Sequence, residues 1–335
     1  MQNLPELKKM LLSPQRIAII THHNPDGDAM GSSLGLYHYF LAKNIHQLTV
    51  VLPSAAPKFL GFLPDSHIAI SHDQQPELCV QALEEATLIF CLDFNDPARV
   101  YGLQQALEQA QAPKVMIDHH LYPKDFCIFE FSQPSAAATC QLIYDFIVLL
   151  NDAESLSPTI AQCLYTGIVT DTGSFRFAAT TPQVHQIAAH LIELGAKNTE
   201  IHQSLYDINT PEKLKFLGYC LSQKMHVLPQ YKTAYLSISL EELRQHHSQP
   251  QDTEGLVNYA LSIQGVALAV IMIERTHEVK LSFRSKGAIP ANLFAEIFSG
   301  GGHKNAAGGQ SKKNLQETTE RFLEELPAFA QKYIV

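Results

Sequence analysis

The sequence predicts an α/β protein: an N-terminal doubly wound, mostly parallel sheet, then a smaller C-terminal α/β domain, with a cleft between them. Three observations predict this. Short apolar runs alternate with helical periods through the first two hundred residues or so, the pattern of βαβ units. Several of those apolar runs stop abruptly at Asp or His, as buried parallel strands do when they deliver side chains to a sheet's carboxyl edge. At residue 231 the texture changes to new strand-like runs, a Gly-rich stretch and a terminal amphipathic period. A chain of 335 residues has room for two cores. The expected organisation is a first domain over 1–195, a helical linker over 196–229 and a second domain over 230–335.

The elements follow in order. Residues 4–12 have the period of a short amphipathic helix, stopped at Ser13-Pro14. Residues 16–20 form a first strand. Residues 28–43 carry a helical period, with Gly31, Ser32, Ser33 and Gly35 leaving room for close packing. Residues 47–52 read as a strand, 53–65 as a Pro-rich loop or short helix, and 77–85 as helix. TLIFCLD (87–93) is a buried strand ending in an acid; 97–110 is a helix with an early Pro. VMIDHH (115–120) and 126–131 are further strands. Residues 135–150 and 158–169 are apolar helices, the second running into TDTGSFRF (170–177). Residues 181–195 form a helix with Gly195 as its stop, and 200–227 reads as helical. In the second domain 232–238, 266–274 and 278–283 are strands, and 240–246, 254–261 and 290–298 are helices. SGGGHKNAAGG (299–309) is a Gly-rich loop, and 315–332 a terminal helix.

Composition narrows the function. Acidic residues outnumber basic ones 33 to 24, for a net charge of −9. That argues against a protein coating long nucleic acid, which needs a broad basic surface, and leaves room for a short or metal-held anion. The six cysteines are scattered, without CxxC, and read as buried thiols. Residues 1–14 lack the apolar core of a signal peptide, and no apolar run reaches membrane-spanning length. The expected compartment is the cytoplasm, with no membrane partner.

The chemistry is concentrated where apolar strands end. Residues 21–32 read THHNPDGDAMGS, and His22, Asp26 and Asp28 place one imidazole and two carboxylates within seven residues. Pro25 and Gly27 favour a turn that folds them onto one point; the plainer reading is an acidic surface turn with an N-cap. The same event recurs at Asp93, at Asp118-His119-His120 and near Asp171. Parallel strands would bring these ends to one edge, where the carboxylates repel unless cations sit between them. A mixed imidazole–carboxylate set suits a divalent metal such as Mn²⁺.

HxNPDGD, a strand-ending Asp, the Asp-His-His triplet and TGIVTDTGSF together resemble the four motifs of the DHH phosphoesterases. GGGHKNAAGG with Phe283-Arg284-Ser285 resembles their DHH-associated domain, and the likeness covers nearly the whole chain. Within that superfamily the compact two-domain layout is most similar to the bacterial nanoRNase/pAp phosphatases. The resemblance implies two Mn²⁺ ions per chain, with Mg²⁺ or Co²⁺ as substitutes. His22 and Asp26 would hold one ion and Asp28, His119 and Asp171 the other, with Asp93 bridging. His120 would face substrate, and Asp118 would orient an imidazole. Arg284, Ser285, Gly301, Gly302 and His303 would bind substrate. The implied reaction is hydrolysis of short oligoribonucleotides and of pAp. Alternatives are a cyclic or linear dinucleotide (c-di-AMP, pApA) phosphodiesterase, an exopolyphosphatase or pyrophosphatase, and a non-catalytic nucleotide sensor. Partners would be short single-stranded RNA or DNA or nucleotides, not long duplexes; a homodimer is left open. Beside these, Asn95 and Asp96 read as helix caps, Arg176 as structural, Lys304 as solvated or phosphate-touching, and His23 and His246-His247 as bystanders.

Overall fold

The computed structural model describes residues 3–13, 15–248 and 250–334. It divides into two compact units, Met1–Ile208 and Asn209–Val335. In chain order the first unit contains α1 (Leu4–Leu11), β1 (Arg16–Ile20), α2 (Gly27–Ala42), β2 (Gln47–Leu52), β3 (Ile70–Ser71), α3 (Pro76–Glu84) and β4 (Leu88–Leu92). Then come α4 (Gln104–Gln109), β5 (Lys114–Asp118), β6 (Phe129–Ser132), α5 (Thr139–Leu149), α6 (Pro158–Asp171), α7 (Pro182–Glu193) and α8 (Asn198–Tyr206). The stop expected at Pro14 lies outside the described residues.

The six strands pair in the order β3-β2-β1-β4-β5-β6, all parallel. Alternation along the strands feeds two cores. Ile17 and Ile19 of β1, with Leu88, Phe90 and Leu92 of β4, face α2, α5 and α6. Ala18 and Ile20, with Ile89 and Cys91, face α3 and the 97–109 segment. The order reverses between β1 and β4, the place where open α/β sheets leave a crevice at their carboxyl ends. Register aligns those ends: Ile20 lies opposite Cys91 and Leu92 opposite Ile117. His22, Asp93 and Asp118 therefore emerge side by side. Asp171 departs from the expected pattern. It is the last residue of helix α6, not the end of a strand.

The small residues of α2 have their reason in α6. A Cβ on Gly31 would lie 2.5 Å from the Cys163 carbonyl oxygen, and one on Gly35 2.7 Å from Leu164 Cδ2. These glycines let the two helices approach at backbone distance, which sets Asp28 and Asp171 on neighbouring helix ends.

The second unit contains α9 (Pro211–Tyr219), β7 (Met225–Leu228), β8 (Thr233–Ile238), α10 (Leu240–Gln245), α11 (Leu256–Ser262), β9 (Leu268–Glu274), β10 (Val279–Ser285), α12 (Ala291–Ile297), β11 (Gly301–His303), β12 (Ala306–Ser311) and α13 (Leu315–Tyr333). Its sheet runs β11-β12-β10-β9-β8-β7, antiparallel except for β8–β9. One face packs Val279, Leu281 and Phe283 against Phe294, Phe298 and Phe322 of α12 and α13. The other packs Ala269, Ile271 and Ile273 against Leu256, Val257 and Ala260 of α11. Two segments differ from the sequence reading. The stretch read as helical to 227 ends earlier, and Met225–Leu228 pairs with β8 as an edge strand. The Gly-rich stretch is a β-hairpin, β11–β12, because pairing with β10 outweighs the low strand propensity of its glycines. Among the described residues, no helix is long and apolar enough to cross a membrane.

Gly31→Ala tests the α2–α6 contact. Overpacking against a backbone carbonyl should destabilise the first unit by about 1–3 kcal/mol, read as a lower urea midpoint by circular dichroism. A wild-type midpoint would show that the helices can separate without cost.

Candidate functional site

The residues singled out in the first unit converge at the sheet's switch point. After β1 the chain passes Asn24 at φ 56°, and Asp26 caps α2: its Oδ1 accepts from the Asp28 and Ala29 N–H groups at 3.0 Å each. Asp28 follows in the first turn and is fully buried. Its two oxygens accept from Thr139 N (2.6 Å) and Cys140 N (2.8 Å), the first amides of α5. Asp93 leaves β4 at φ 63°, a left-handed conformation costly for a non-glycine residue and held only where surroundings over-determine it. Asp171 closes α6 just before Gly173, Ser174 and Phe175, all at φ 55–63°. The Thr172 side chain stabilises that turn by accepting from Phe175 N at 2.9 Å and donating to Ile168 O at 2.6 Å.

Among the described residues three donor groups form: His22/Asp26/Asp93, Asp28/His119/Asp171 and Asp93/His119/His120. Asp93 and His119 each belong to two of them. Asp93 Oδ2 lies 3.3 Å from His22 Nε2, and its Oδ1 3.5 Å from His119 Nε2. His119 Nε2 also lies 3.2 Å from Asp171 Oδ2 and 4.0 Å from Asp28 Oδ2. The ring tautomers follow from the opposite nitrogens. His22 Nδ1 faces the His23 carbonyl (2.9 Å) and His119 Nδ1 the Ala136 carbonyl (3.2 Å). A carbonyl only accepts, so each Nδ1 is the donor and each Nε2 is turned to the carboxylates. The imidazole that Asp118 holds is His120: Oδ1 meets Nδ1 at 2.7 Å and Oδ2 accepts from the backbone N–H at 2.8 Å.

The electrostatics are those of a crowded anionic cluster. Burial, then the charges of Asp93 and Asp171, push Asp28 well above the usual carboxylate range. Burial and the charges of Asp93 and Asp26 lift Asp171 to about 6, against the His119 hydrogen bond. Burial would raise Asp93 too, but the hydrogen bond and charge of His22, with His119 and His120, hold it at about 2. Burial opposes a charge on His119, yet the Asp171 hydrogen bond and three neighbouring carboxylates raise it to about 10; His22 rises for the same reason through Asp93. Without cations, the cluster neutralises itself by holding protons. Its nitrogen and oxygen donors fit divalent ions, which would replace those protons.

In the second unit, Arg284 on β10 lies opposite Ala306 of β12, which lies opposite His303 of β11. Directly paired residues share a face, so Arg284 and His303 point the same way, as does Gly301 through Gly308. Burial lowers the Arg284 pKa, and among the described residues no carboxylate pairs with it. Ser285 is not brought to this face. It alternates to the other side, is buried, donates to the Ile289 carbonyl (2.7 Å) and accepts from the Asn305 amide (2.9 Å). Gly302 alternates likewise, at φ 140°.

Of the bystanders, Asp96 caps the 97–103 turn through Ala98 N (2.9 Å), and Asn95 donates to the Leu121 carbonyl (2.7 Å). Arg176 donates to the Gly173 carbonyl at 2.8 Å. His23 stacks on Tyr101, ring centres 4.4 Å apart.

Sequence reasoning missed Thr139. Its hydroxyl donates to Asp93 Oδ1 at 2.9 Å while its N–H holds Asp28, so one residue ties two of the carboxylates. The only signal was a small-residue run, SAAATC, before an apolar helix; neither Thr nor Cys advertises a carboxylate partner.

A parallel sheet with clustered imidazoles and carboxylates at its switch point, followed by a mixed-sheet unit, is the architecture of a phosphoesterase. Residues 16–168 match the DHH family, N-terminal domain, and 230–332 the DHHA1 domain. The chain belongs to the DHH phosphoesterases, a family of hydrolases. It is 34% identical over 325 residues to the bifunctional oligoribonuclease and PAP phosphatase NrnA of Thermus thermophilus, covering 97% of this chain and 92% of that one. It is 23% identical to the cyclic-di-AMP phosphodiesterase PdeA of Listeria monocytogenes, over 96% of this chain but 49% of that protein. The crystal structure of an exopolyphosphatase-related protein from Bacteroides fragilis superposes with a TM-score of 0.94 at 35% identity, covering 98% of this chain and 96% of the other.

Thr139→Val should destabilise the metal-free chain by about 2 kcal/mol, the cost of losing a hydrogen bond to a charged, buried group, and Thr139→Ser should recover most of it. Urea unfolding in chelator reads both. Equal stability of Val and wild type would mean the hydroxyl is dispensable.

Proposed function

We propose that this chain hydrolyses phosphodiester bonds of short oligoribonucleotides and the 3′-phosphate of pAp, using two divalent ions, Mn²⁺ foremost. The observation that carries this reading is the double membership of Asp93, whose two oxygens face different imidazoles in two donor groups. His22, Asp26 and Asp93 would hold one ion; Asp28, His119 and Asp171, with Asp93, the other. Bound there, the ions supply charge neutralisation, a water of lowered pKa and a clamp on phosphoryl oxygens. The chain's own residues do the rest. The N-terminus of α5 fixes Asp28 through two amides, and the Thr139 hydroxyl fixes one oxygen of Asp93. Asp118 anchors His120 by ring and backbone, which orients this imidazole for the phosphoryl or leaving-group oxygen. Arg284, a half-buried cation without a carboxylate partner among the described residues, suits a substrate phosphate.

The likeness to NrnA along nearly the whole of both chains supports this substrate class over a cyclic dinucleotide. The phosphodiesterase relative carries as much chain again outside the match. The six cysteines are free thiols, which supports the cytoplasm as its compartment.

Two measurements test the reading. Asp93→Ala should lose most bound Mn²⁺ and all turnover, whereas His120→Ala should keep its metal and lose most activity. Metal analysis after dialysis separates them, and equal metal loss would sink the assignment. On labelled RNA, di- to pentanucleotides should turn over faster than 20-mers, by on the order of tenfold at equal strand concentration, with a shallow salt dependence because few phosphates are contacted. Processive decay of 20-mers with a steep salt slope would favour a long-strand exonuclease; preference for c-di-AMP would favour the cyclic dinucleotide.

A further inference from the structure

The sheet face that carries Arg284 is only half covered. Over β8 and β9 it packs against α11 through Ile271, Ile273 and Val257. Beyond β9 it is polar, with Lys280 exposed and Ser282 and Arg284 partly buried. Lys280, Ser282 and Arg284 follow one another along β10 on this face, opposite Gln310, Gly308 and Ala306 of β12. Where the covered and open halves meet lies a groove of about 490 Å³, lined among others by Arg275, Lys280, Ser282 and Arg284, with Glu254 at the α11 side.

Three features mark this groove as an anion site. It gathers three cations against one carboxylate, and among the described residues none of the three is ion-paired. A merely solvated sheet face would intersperse both signs. The floor beside it is kept low without a packing reason: a Cβ on Gly301 would meet nothing within 4 Å, and one on Gly308 only Leu281 O at 3.7 Å. Glycine in a strand weakens it unless something must approach closely. Gly309 is the contrast, since its Cβ would press on Phe298 at 3.1 Å on the covered face. Finally, alternate residues of a strand stand about 6.8 Å apart. That is close to the separation of consecutive phosphates along an extended nucleic-acid strand; Lys280 and Arg284 stand two such steps apart, about 14 Å, so they can serve phosphates two steps apart in one molecule, with Ser282 between them.

We propose that Lys280 and Arg275 form a second phosphate subsite, which engages the phosphate two steps along from the one held by Arg284 and favours tri- and tetranucleotides over dinucleotides. This rests on the short-oligonucleotide reading above and adds to it a basis for length preference within that class.

The test is Lys280→Gln, with Lys280→Arg as the charge-restoring control, on the Mn²⁺-loaded full chain with 5′-phosphorylated di-, tri- and tetranucleotides. The expected result for Gln is a KM for the tetranucleotide raised about tenfold, as for loss of a charge-assisted contact. The dinucleotide KM should move less than about twofold, and the salt slope on the tetranucleotide should fall by about one. Arg should restore wild-type values. Equal effects on all lengths, or none on the tetranucleotide, would overturn the subsite. A second arm keeps the two readings apart: fluorescence anisotropy of a labelled tetranucleotide on the chelated full chain. There Lys280→Gln should weaken Kd by a similar factor, and an unchanged Kd would again overturn the subsite. If the wild type turns over no nucleotide, the functional reading fails, and the anisotropy arm still decides the groove.

Discussion

The first unit is governed by the repulsion among carboxylates brought to one sheet edge. Asp28 and Asp93 are both buried, Asp171 is close by, and burial strengthens every interaction between them. Such a cluster folds only if each charge is answered. The answers come from different parts of the chain: two backbone amides and the dipole of α5 for Asp28, imidazoles and a hydroxyl for Asp93, His119 for Asp171. The glycines of α2 and the left-handed turn at 173–175 serve the same end, since they bring α6 near enough for its last residue to join. Local strain is tolerated at Asp93 and Phe175 because the surrounding sheet and helices leave the backbone no alternative there.

Much of this was legible in the sequence, and for a physical reason. Buried parallel strands read as unbroken apolar runs, so residues 16–20, 87–93 and 115–120 declared themselves, and the polar residues that ended them stood out. The spacing of Gly31 and Gly35 announced a close helix contact without naming α6. What stayed hidden depended on tertiary pairing. The β11–β12 hairpin is built from residues with poor strand propensity and exists because β10 offers it a partner. Asp171 was grouped with the strand ends although the run before it reads as a helix over 158–169; the helix reading is the right one, and Asp171 is that helix's last residue. Thr139 was invisible, as its role lies in a hydroxyl and an amide pointed at residues more than forty positions away. Ser285 shows the converse. Adjacent to Arg284 in sequence, it belongs to the opposite face by strand alternation, and its hydroxyl anchors the turn at Ile289.

The two units solve different problems. The first accumulates negative charge at an edge and depends on cations or protons to neutralise it. The second gathers cations that have no carboxylate partner among the described residues on one sheet face, next to a glycine floor. One suits cations and the other anions, a division of chemical labour written into charge sign alone.

The donor set also has a consequence for how the molecule is made. Its members run from His22 to Asp171, and the last arrives on a helix that must dock against α2 before it can contribute. No fragment emerging from the ribosome short of α6 contains the complete set. On the two-ion reading proposed above, ion capture would come after closure of the first unit, and a bound cation would hold distant parts of that unit together by mass action. Metal supply during synthesis would then act as a late lock on a domain already assembled, and metal depletion would act first by releasing α6.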